Sequence, residues 1–378
     1  MTLVKLGDYI ELLDNRNSEL KYGADYVRGV NNLKLLMPTK ADISSRDLSK
    51  FYIVYPGNFV FNHRTSRNGS KFSIAFNDTD EPVICTEDYV VFRVKEACRG
   101  VLHPIWLYMY FNRAEFDRYV ITNSWGSSTE FYNWEDICEV EFPLPSFSVQ
   151  QKYVDIYNAM LANQRSYEQG LEDLKRAVFA EIDIIKHTSR KVPVGDLLEE
   201  IDVRNTDGSI TSVQGINIEK QFMPSVADTS SVNLRNYKVV HEGQFAYSSM
   251  QTGRDECIRI ALHDKSTPIL ISPAYSVLQV KDPSIVAEYI MLWFSRPETD
   301  RYGWFASDAS VRANLDLDRF YEIQIPMPDT SKQQSIANIY IAYMLRREIN
   351  EQLKAQIRDV CPILIKGSLE EAANGQNI

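Results

Sequence analysis

The segment Phe142-Pro143-Leu144-Pro145, followed by Gln150-Gln151, returns 183 residues later as Ile325-Pro326-Met327-Pro328 followed by Gln333-Gln334. Proline lacks a backbone N–H and stops a helix from extending backward across it, so each segment marks a change of structure. The residues before each segment are mixed in pattern, and those after it are periodic. The pair of segments therefore predicts two similar halves, each a globular part followed by a long helix.

Apolar residues after each proline segment recur at intervals of three, four or seven, which is the heptad pattern of a coiled-coil helix. The first series is Val149, Tyr153, Ile156, Met160, Tyr167, Leu171, Leu174, Val178, Ile182 and Ile185. The second is Ile336, Ile339, Tyr343, Ile349, Leu353, Ile357, Val360 and Leu364. Ser148 and Ser331 are the predicted N-caps. A single helix of this kind would pack on its own globular neighbour, but two in a duplicated chain predict an antiparallel pair with a globular domain toward each end.

The globular parts repeat as well, in the same order and at offsets of 183 to 188 residues. The matches are Leu6-Gly7-Asp8 with Val194-Gly195-Asp196, Val27-Arg28-Gly29-Val30-Asn31 with Val213-Gln214-Gly215-Ile216-Asn217, Gly57-Asn58-Phe59 with Gly243-Gln244-Phe245, and Asp117-Arg118-Tyr119 with Asp300-Arg301-Tyr302. Chance does not keep so many matches collinear. Short β-branched and aromatic runs in residues 52–61 and 75–94 predict strands, and residues 104–119 have helical spacing. The predicted class is α+β: two pseudo-repeated mixed domains and two long antiparallel coiled-coil helices.

Composition limits the possible functions of this chain of 378 residues, of which 44% are hydrophobic and 24% charged. This length suits two or three domains. No stretch approaches the roughly 20 apolar residues that span a bilayer. The N-terminus lacks a secretory pattern, and five unclustered cysteines indicate reduced thiols, so we expect a cytoplasmic protein without a metal site. The net charge of −10 predicts weak DNA binding by the chain alone, unless its basic surface is local or a partner supplies it.

The order of globular domain, proline segment, glutamine pair and long helix, repeated once, resembles the specificity subunits of type I restriction-modification systems. The likeness covers nearly the whole chain. It implies a first target recognition domain in residues 1–147, a spacer helix in 148–190, a second target recognition domain in 191–329, and a second spacer helix with its tail in 330–378. The tail after Lys366 is small and polar, and we expect it to fray.

The resemblance also implies partners. These are double-stranded DNA, two methyltransferase subunits that use S-adenosylmethionine and flip adenine out of the duplex, and motor-nuclease subunits that use ATP and magnesium. The chain itself shows no glycine-rich dinucleotide loop, phosphate-binding loop or zinc-protease histidine pair, and no Asn-Pro-Pro-aromatic or Asp-Pro-Pro-aromatic tetrapeptide. We therefore expect a non-catalytic subunit with no cofactor of its own.

The main DNA-facing candidate is the stretch from residue 62 to residue 71, which holds three cations and no acid. Arginine can fork onto guanine, asparagine can pair with adenine, and lysine or serine can hold phosphate. We predict contacts from Asn62, Arg64, Ser66, Arg67, Asn68 and Lys71. The alternative is a solvated basic hairpin built on the Asn68-Gly69 turn. The equivalent stretch differs in side chains, which predicts a different half-site read by Ser248, Gln251, Thr252 and Arg254.

A second pair of polar loops precedes the two proline segments, and the resemblance places such loops close to DNA. The predicted contacts are Asn123, Ser124, Ser127, Ser128 and Thr129 in the first half, and Asp308, Ser310 and Arg312 in the second. The alternative is a capping turn, since serine and asparagine favour such positions. We interpret the two Asp-Arg-Tyr segments as structural, with an ion pair inside each domain and an anchored tyrosine. Trp134 and Trp304 could stack on bases, but we expect them to fill cores.

Two other functions are compatible with the sequence. The acidic charge would suit a coiled-coil scaffold, or an anti-restriction or assembly adaptor, that joins partners without reading DNA. A nuclease or methyltransferase with unrecognised motifs is the third possibility, and the missing signatures argue against it.

Overall fold

The computed structural model describes residues 3–39, 42–65, 71–126, 130–225, 232–250, 255–308 and 313–374. The chain forms two compact units. Unit 1 comprises Met1–Ser166 and Asn350–Ile378, and unit 2 comprises Tyr167–Ile349. Each unit mixes helices and sheets, which confirms the predicted class. The unit boundaries fall inside the two long helices, so both helices contribute to both units. The division into four segments at residues 147, 190 and 329 stays a prediction.

Unit 1 is built around an antiparallel four-stranded sheet with the strand order β2-β9-β6-β7, flanked by the pairs β1-β10, β3-β4 and β5-β8. Its strands are β1 Leu3–Lys5, β2 Ile10–Leu13, β3 Arg28–Val30, β4 Leu36–Pro38, β5 Tyr52–Val54, β6 Phe59–Asn62, β7 Ile74–Phe76, β8 Val83–Cys85, β9 Tyr89–Val94 and β10 Glu141–Pro143. Its helices are α1 Pro104–Phe111, α2 Ala114–Thr122 and α3 Trp134–Cys138, and the first long helix, α4, spans Phe147–Thr188. The strands predicted in residues 52–61 and 75–94 and the helical segment 104–119 are confirmed.

Unit 2 repeats this topology, with the central order β12-β19-β16-β17 and the pairs β11-β20, β13-β14 and β15-β18. Its strands are β11 Arg190–Pro193, β12 Leu198–Ile201, β13 Gln214–Ile216, β14 Phe222–Pro224, β15 Lys238–Val240, β16 Phe245–Ser248, β17 Arg259–Leu262, β18 Ile269–Ile271, β19 Ser276–Val280 and β20 Gln324–Met327. Its helices are α5 Val194–Leu197, α6 Ala287–Phe294, α7 Pro297–Ala306 and α8 Leu317–Tyr321, and the second long helix, α9, spans Thr330–Asn374. The same strand order in both units confirms the internal repeat.

The apolar series of the long helices pack on the globular cores. In unit 1, Ile357 and Leu364 from α9 are buried in the same cluster as Trp106 of α1, and Tyr153 and Met160 from α4 pack against that cluster partly buried. In unit 2, Ile182 from α4 and Ile336 from α9 are buried in the main cluster of that unit. Burial of these positions against each core accounts for much of the periodicity, as expected for an amphipathic helix.

Within each unit the two helices also contact each other and run antiparallel. In unit 1, the buried amide Nε2 of Gln164 donates to Oδ1 of Asn350 at 3.0 Å, and Lys152 lies 2.8 Å from Glu371. In unit 2, Nζ of Lys332 lies 2.6 Å from Glu181, and the Arg346 guanidinium sits over the Tyr167 ring. In each unit, residues later in α4 meet residues earlier in α9. Helix pairing and packing on the core therefore occur together.

The predicted N-caps are wrong. Both long helices begin one residue before the serines, at Phe147 and Thr330, so Ser148 and Ser331 lie inside the first turn. At the second helix the capping group is Asp329, whose Oδ1 accepts a hydrogen bond from the N–H of Lys332 at 3.0 Å. Aspartate caps a helix as well as serine does, and its acceptor reaches the open N–H groups of the first turn.

The prediction of a frayed tail after Lys366 is also wrong for the described residues, because α9 continues to Asn374. Ser368 is fully buried, and its hydroxyl accepts the indole N–H of Trp106 at 3.0 Å. A Cβ on Gly367 would lie 2.9 Å from the Tyr153 ring, so the two helices approach closely at this point. The polar composition did not predict this burial, because the partners of the tail lie in the first half of the chain.

Among the helices that the structure describes, none combines the length and the apolar composition that a membrane span requires.

Candidate nucleic-acid interface

In unit 1 the described ends of the two polar segments that were predicted to face DNA lie side by side. After β6 ends, the backbone N–H of Thr65 donates to the carbonyl of Glu130 at 2.9 Å. In the reverse direction, the N–H of Tyr132 donates to the carbonyl of His63 at 2.8 Å. Backbone hydrogen bonds therefore join residues 63–65, at the exit of β6, to residues 130–132.

Unit 2 brings the equivalent segments together with different contacts. The N–H of Leu315 donates to the carbonyl of Ser249 at 2.9 Å, and the carbonyl of Leu315 also accepts the buried Tyr247 hydroxyl at 2.6 Å. Asp308 and Asn314 exchange hydrogen bonds of 2.8 and 2.9 Å, which closes the base of the second loop. Both units thus bring the bases of the same two loops together on the same sheet frame.

Several predicted side chains in unit 1 already have partners. Nη2 of Arg64 lies 2.9 Å from the Asp88 carboxylate in a half-exposed ion pair, and Oδ1 of Asn62 accepts the N–H of Arg64. Asn123 and Ser124 donate to carbonyls of α2 at 2.8 Å each, so these two side chains cap the end of that helix. For them, the capping-turn alternative describes the geometry.

The other predicted residues fall into three groups. Lys71 is exposed beside Phe72, and the Asp308 carboxylate accepts a loop hydrogen bond. Ser248 is only 2% exposed within β16, so its side chain does not reach the surface, and we remove it from the candidate set. The remaining residues lie outside the described parts of the chain: Ser66, Arg67, Asn68, Ser127, Ser128, Thr129, Gln251, Thr252, Arg254, Ser310 and Arg312.

Exposed aromatic rings lie next to both loop pairs. Trp125, between α2 and the second loop of unit 1, is 71% exposed. In unit 2, Trp304 and Phe305 at the end of α7 are 55% and 83% exposed, which contradicts the core position expected for Trp304. Trp134 is partly buried against the core, 5.7 Å from the Phe92 ring, as expected. Exposed rings beside a polar loop offer stacking surfaces for bases. Trp125 and Phe305 were not among the residues predicted to contact DNA.

Each unit buries one lysine-aspartate pair, which involves the first residue of each Asp-Arg-Tyr segment. Nζ of Lys34 lies 2.6 Å from Asp117, with 4% and 11% of the two side chains exposed. Nζ of Lys220 lies 2.5 Å from Asp300, with 6% and 20% exposed. Burial lowers the pKa of Lys34, and the neighbouring Asp117 carboxylate opposes that shift. The predicted ion pairs are present, and their lysine partners lie in the turns between β3 and β4 and between β13 and β14.

The anchored tyrosine predicted for the same segments is wrong, because Tyr119 and Tyr302 are 39% and 45% exposed. Lys34 and Lys220 were not predicted as the partners of these aspartates. A signal for them existed: the repeated segments ending at Asn31 and Asn217 are each followed by a lysine three residues later. Within the described ranges, no group of three or more histidine, cysteine, aspartate or glutamate side chains could hold a metal ion.

The fold is thus a duplicated α+β architecture whose long helices are shared by both units, and comparisons with known proteins show what it is similar to. The family model of the type I restriction modification DNA specificity domain matches residues 223–359. Residues 223–359 therefore carry a type I restriction-modification DNA specificity domain, and the resemblance indicated by the sequence is confirmed. No protein of curated function matches the chain in sequence.

The first of three similar solved structures shares this fold. The crystal structure of the type I restriction-modification S subunit from M. genitalium aligns over 97% of this chain and 95% of its own, with 13% identity and a TM-score of 0.57. A structure of a type I R-M system, described for its assembly and conformational transition, aligns over 97% and 98% with 13% identity and a TM-score of 0.46. The HsdS subunit from Thermoanaerobacter tengcongensis aligns over 97% and 96% with 14% identity and a TM-score of 0.36.

Proposed function

We propose that this chain is the non-catalytic subunit that reads a bipartite, asymmetric DNA target for a type I restriction-modification complex. Unit 1 reads one half-site with the loops around residues 62–71 and 123–131, and unit 2 reads the other with the loops around 248–257 and 307–315. One observation carries the proposal: both units bring the described ends of the same two loops together on the same frame, while the sequences of those loops differ.

The chemistry of the loops supports DNA as the ligand. The segment 62–71 concentrates cations and amides on a chain whose net charge is −10, so its positive charge is local. Arginine and asparagine read base edges in the major groove, and lysine holds phosphate. The exposed Trp125 and Phe305 add stacking surfaces at the two sites.

We further propose that two methyltransferase subunits and the motor-nuclease subunits dock on the long helices, in the cytoplasm. S-adenosylmethionine, ATP and magnesium then belong to those partners. Exposed apolar side chains on α4 and α9 are compatible with such docking, because contiguous exposed apolar patches often mark protein interfaces and Ile341 and Leu345 lie one helical turn apart. These side chains are Ile156, Ile184, Ile341, Leu345 and Ile363.

If the purified chain itself methylated or cleaved DNA in the presence of magnesium and labelled S-adenosylmethionine, its non-catalytic role would be refuted.

Footprinting of the complex reconstituted with methyltransferase subunits tests the bipartite reading. We expect two protected patches separated by a gap in which the sequence does not matter. A single continuous patch, or equal protection of unrelated DNA, would contradict the proposal.

Replacement of Arg64, Arg67 and Lys71 together by alanine should weaken specific DNA binding by the complex about tenfold or more. The slope of affinity against salt concentration should also fall, because fewer phosphate charges are neutralised. Titration of a fluorescent duplex at several salt concentrations measures both quantities. Assembly with the methyltransferase subunits should be unchanged.

The matched control replaces Lys5, Lys50 and Arg99, three exposed cations of unit 1 outside the candidate loops, and so changes the net charge equally. We expect little change in affinity. If both triple variants weaken binding alike, only overall charge matters. If neither does while assembly stays intact, the scaffold alternative becomes the better explanation.

A further inference from the structure

The base of the first recognition loop is held by the buried Lys34–Asp117 pair. Phe72, the first buried residue after the loop, donates its backbone N–H to Oδ1 of Asp117 at 3.0 Å. That carboxylate oxygen also receives Nζ of Lys34 at 2.6 Å, and Nζ donates in addition to the carbonyl of Phe111 at the end of α1. One carboxylate therefore connects the returning end of the loop to α2 and, through Lys34, to α1.

Unit 2 contains the same arrangement at the corresponding loop. The N–H of Ile258 donates to Oδ1 of Asp300 at 2.9 Å, and Nζ of Lys220 lies 2.5 Å from that oxygen. Ile258 is fully buried and corresponds to Phe72. Each lies two residues before an isoleucine that pairs with the preceding strand, Ile260 with Tyr247 and Ile74 with Phe61. The loop sequences differ between the units, but the contacts at the returning end of each loop are the same.

The backbone of the lysines is unusual in both units. Lys34 and Lys220 each adopt φ of 61°, in the left-handed region that non-glycine residues rarely occupy. Each closes a turn by donating its N–H to the carbonyl of the asparagine three residues earlier, at 3.0 Å from Lys34 to Asn31 and 3.1 Å from Lys220 to Asn217. Strain of this kind persists where the surrounding contacts compensate it, and it often marks functional positions.

A stability role alone would not require this arrangement. A buried ion pair can often be replaced by apolar residues without loss of stability, so its presence is weak evidence for a stabilising role. What apolar residues cannot supply is an acceptor for the N–H of Phe72 or Ile258. An amide buried without an acceptor is unfavourable, and a loop relieves that unfavourable state by moving.

We propose that Lys34–Asp117 and Lys220–Asp300 are positioning residues for DNA recognition, each setting the returning end of the loop that reads one half-site. This inference rests on the proposed function. Each aspartate supplies the acceptor for the loop N–H. Each lysine supplies the counter-charge that keeps this carboxylate charged and fixed in the interior. The two devices act separately, one for each half-site.

Two double variants of unit 1 test this role and differ only in the acceptor. Lys34→Met with Asp117→Asn removes both charges but keeps a side-chain oxygen for the N–H of Phe72. Lys34→Met with Asp117→Leu removes the oxygen as well. Each full-length variant is assembled with methyltransferase subunits and used to select binders from a library of random-sequence DNA duplexes.

The wild-type complex should enrich two sequence patches, and the Asn variant should enrich both patches similarly. The Leu variant should lose discrimination about tenfold at the unit 1 patch only, and amide exchange at Phe72 should become faster. Lys220→Met with Asp300→Leu should affect only the other patch. Non-specific DNA binding and assembly should be unchanged, which separates positioning from a general loss of folding.

The inference is overturned if the wild-type complex selects two patches and the Leu variants select both equally well, or if the Asn and Leu variants lose discrimination alike at both patches. If the Leu variants do not assemble, the Asn variants decide: loss of discrimination by an assembled Asn variant rejects the acceptor role. A wild-type complex that selects no second patch rejects the proposed function itself, so the two failures are distinguishable.

Discussion

Replacement of Lys34 by methionine should destabilise unit 1 by about 3 to 5 kcal/mol. The substitution leaves the Asp117 carboxylate in the interior without its counter-charge, and removing one partner of a buried pair has a cost of this size. It also removes the bond to the Phe111 carbonyl. Urea unfolding, followed together with amide exchange in unit 1, measures the loss. The equivalent strands of unit 2 should keep their exchange protection.

Two controls separate the charge effect from the loss of lysine bulk. The double variant Lys34→Met with Asp117→Asn should recover much of the stability, because no uncompensated charge remains and the N–H of Phe72 keeps a side-chain oxygen as its acceptor. Lys50→Met removes a lysine whose pair with Asp47 lies on the surface, and it should change the unfolding midpoint very little. A single Lys34→Met variant as stable as wild type would show that the buried pair contributes nothing to the fold.

The duplication and the long helices were predictable because their signals are local or repeated. Apolar spacing after residues 147 and 330 reports a helix face directly, and collinear motifs report two copies of one fold. The strands in residues 52–61 were predictable for the same reason, because their apolar pattern is local. Helix caps were harder, because serine and aspartate are equally good acceptors and only the observed turn distinguishes Ser331 from Asp329.

Contacts between residues far apart in sequence were not predictable. Asp117 was singled out in a repeated segment, but its partner Lys34 lies in a turn that looks like an exposed loop. Exposure was misjudged likewise: Ser248 appeared to be a loop residue but is buried in a strand, and Trp304 was expected in a core but is exposed. Composition describes average environments, whereas burial depends on which elements meet.

Deletion of residues 367–378 should destabilise unit 1 by about 2 to 4 kcal/mol, although the deleted segment is small and polar. The hydroxyl of Ser368 is the acceptor for the fully buried Trp106 indole, and its loss leaves that N–H without a partner in the interior. The deletion also uncovers part of the apolar surface of Trp106 and removes Glu371, which binds Lys152 and Tyr153.

The effect should be confined to unit 1, because the deleted turns pack only within that unit among the described contacts. Amide exchange should become faster in α1 and in the first turns of α4, while α6 of unit 2 keeps its protection. A matched deletion of residues 375–378 leaves Ser368 and Glu371 in place and should have no effect. Ser368→Ala should reproduce the part of the loss that belongs to the indole hydrogen bond. If the longer deletion unfolds at the same urea concentration as the shorter one, the last turns of α9 add nothing to the core of unit 1, and the tail is as dispensable as its composition suggests.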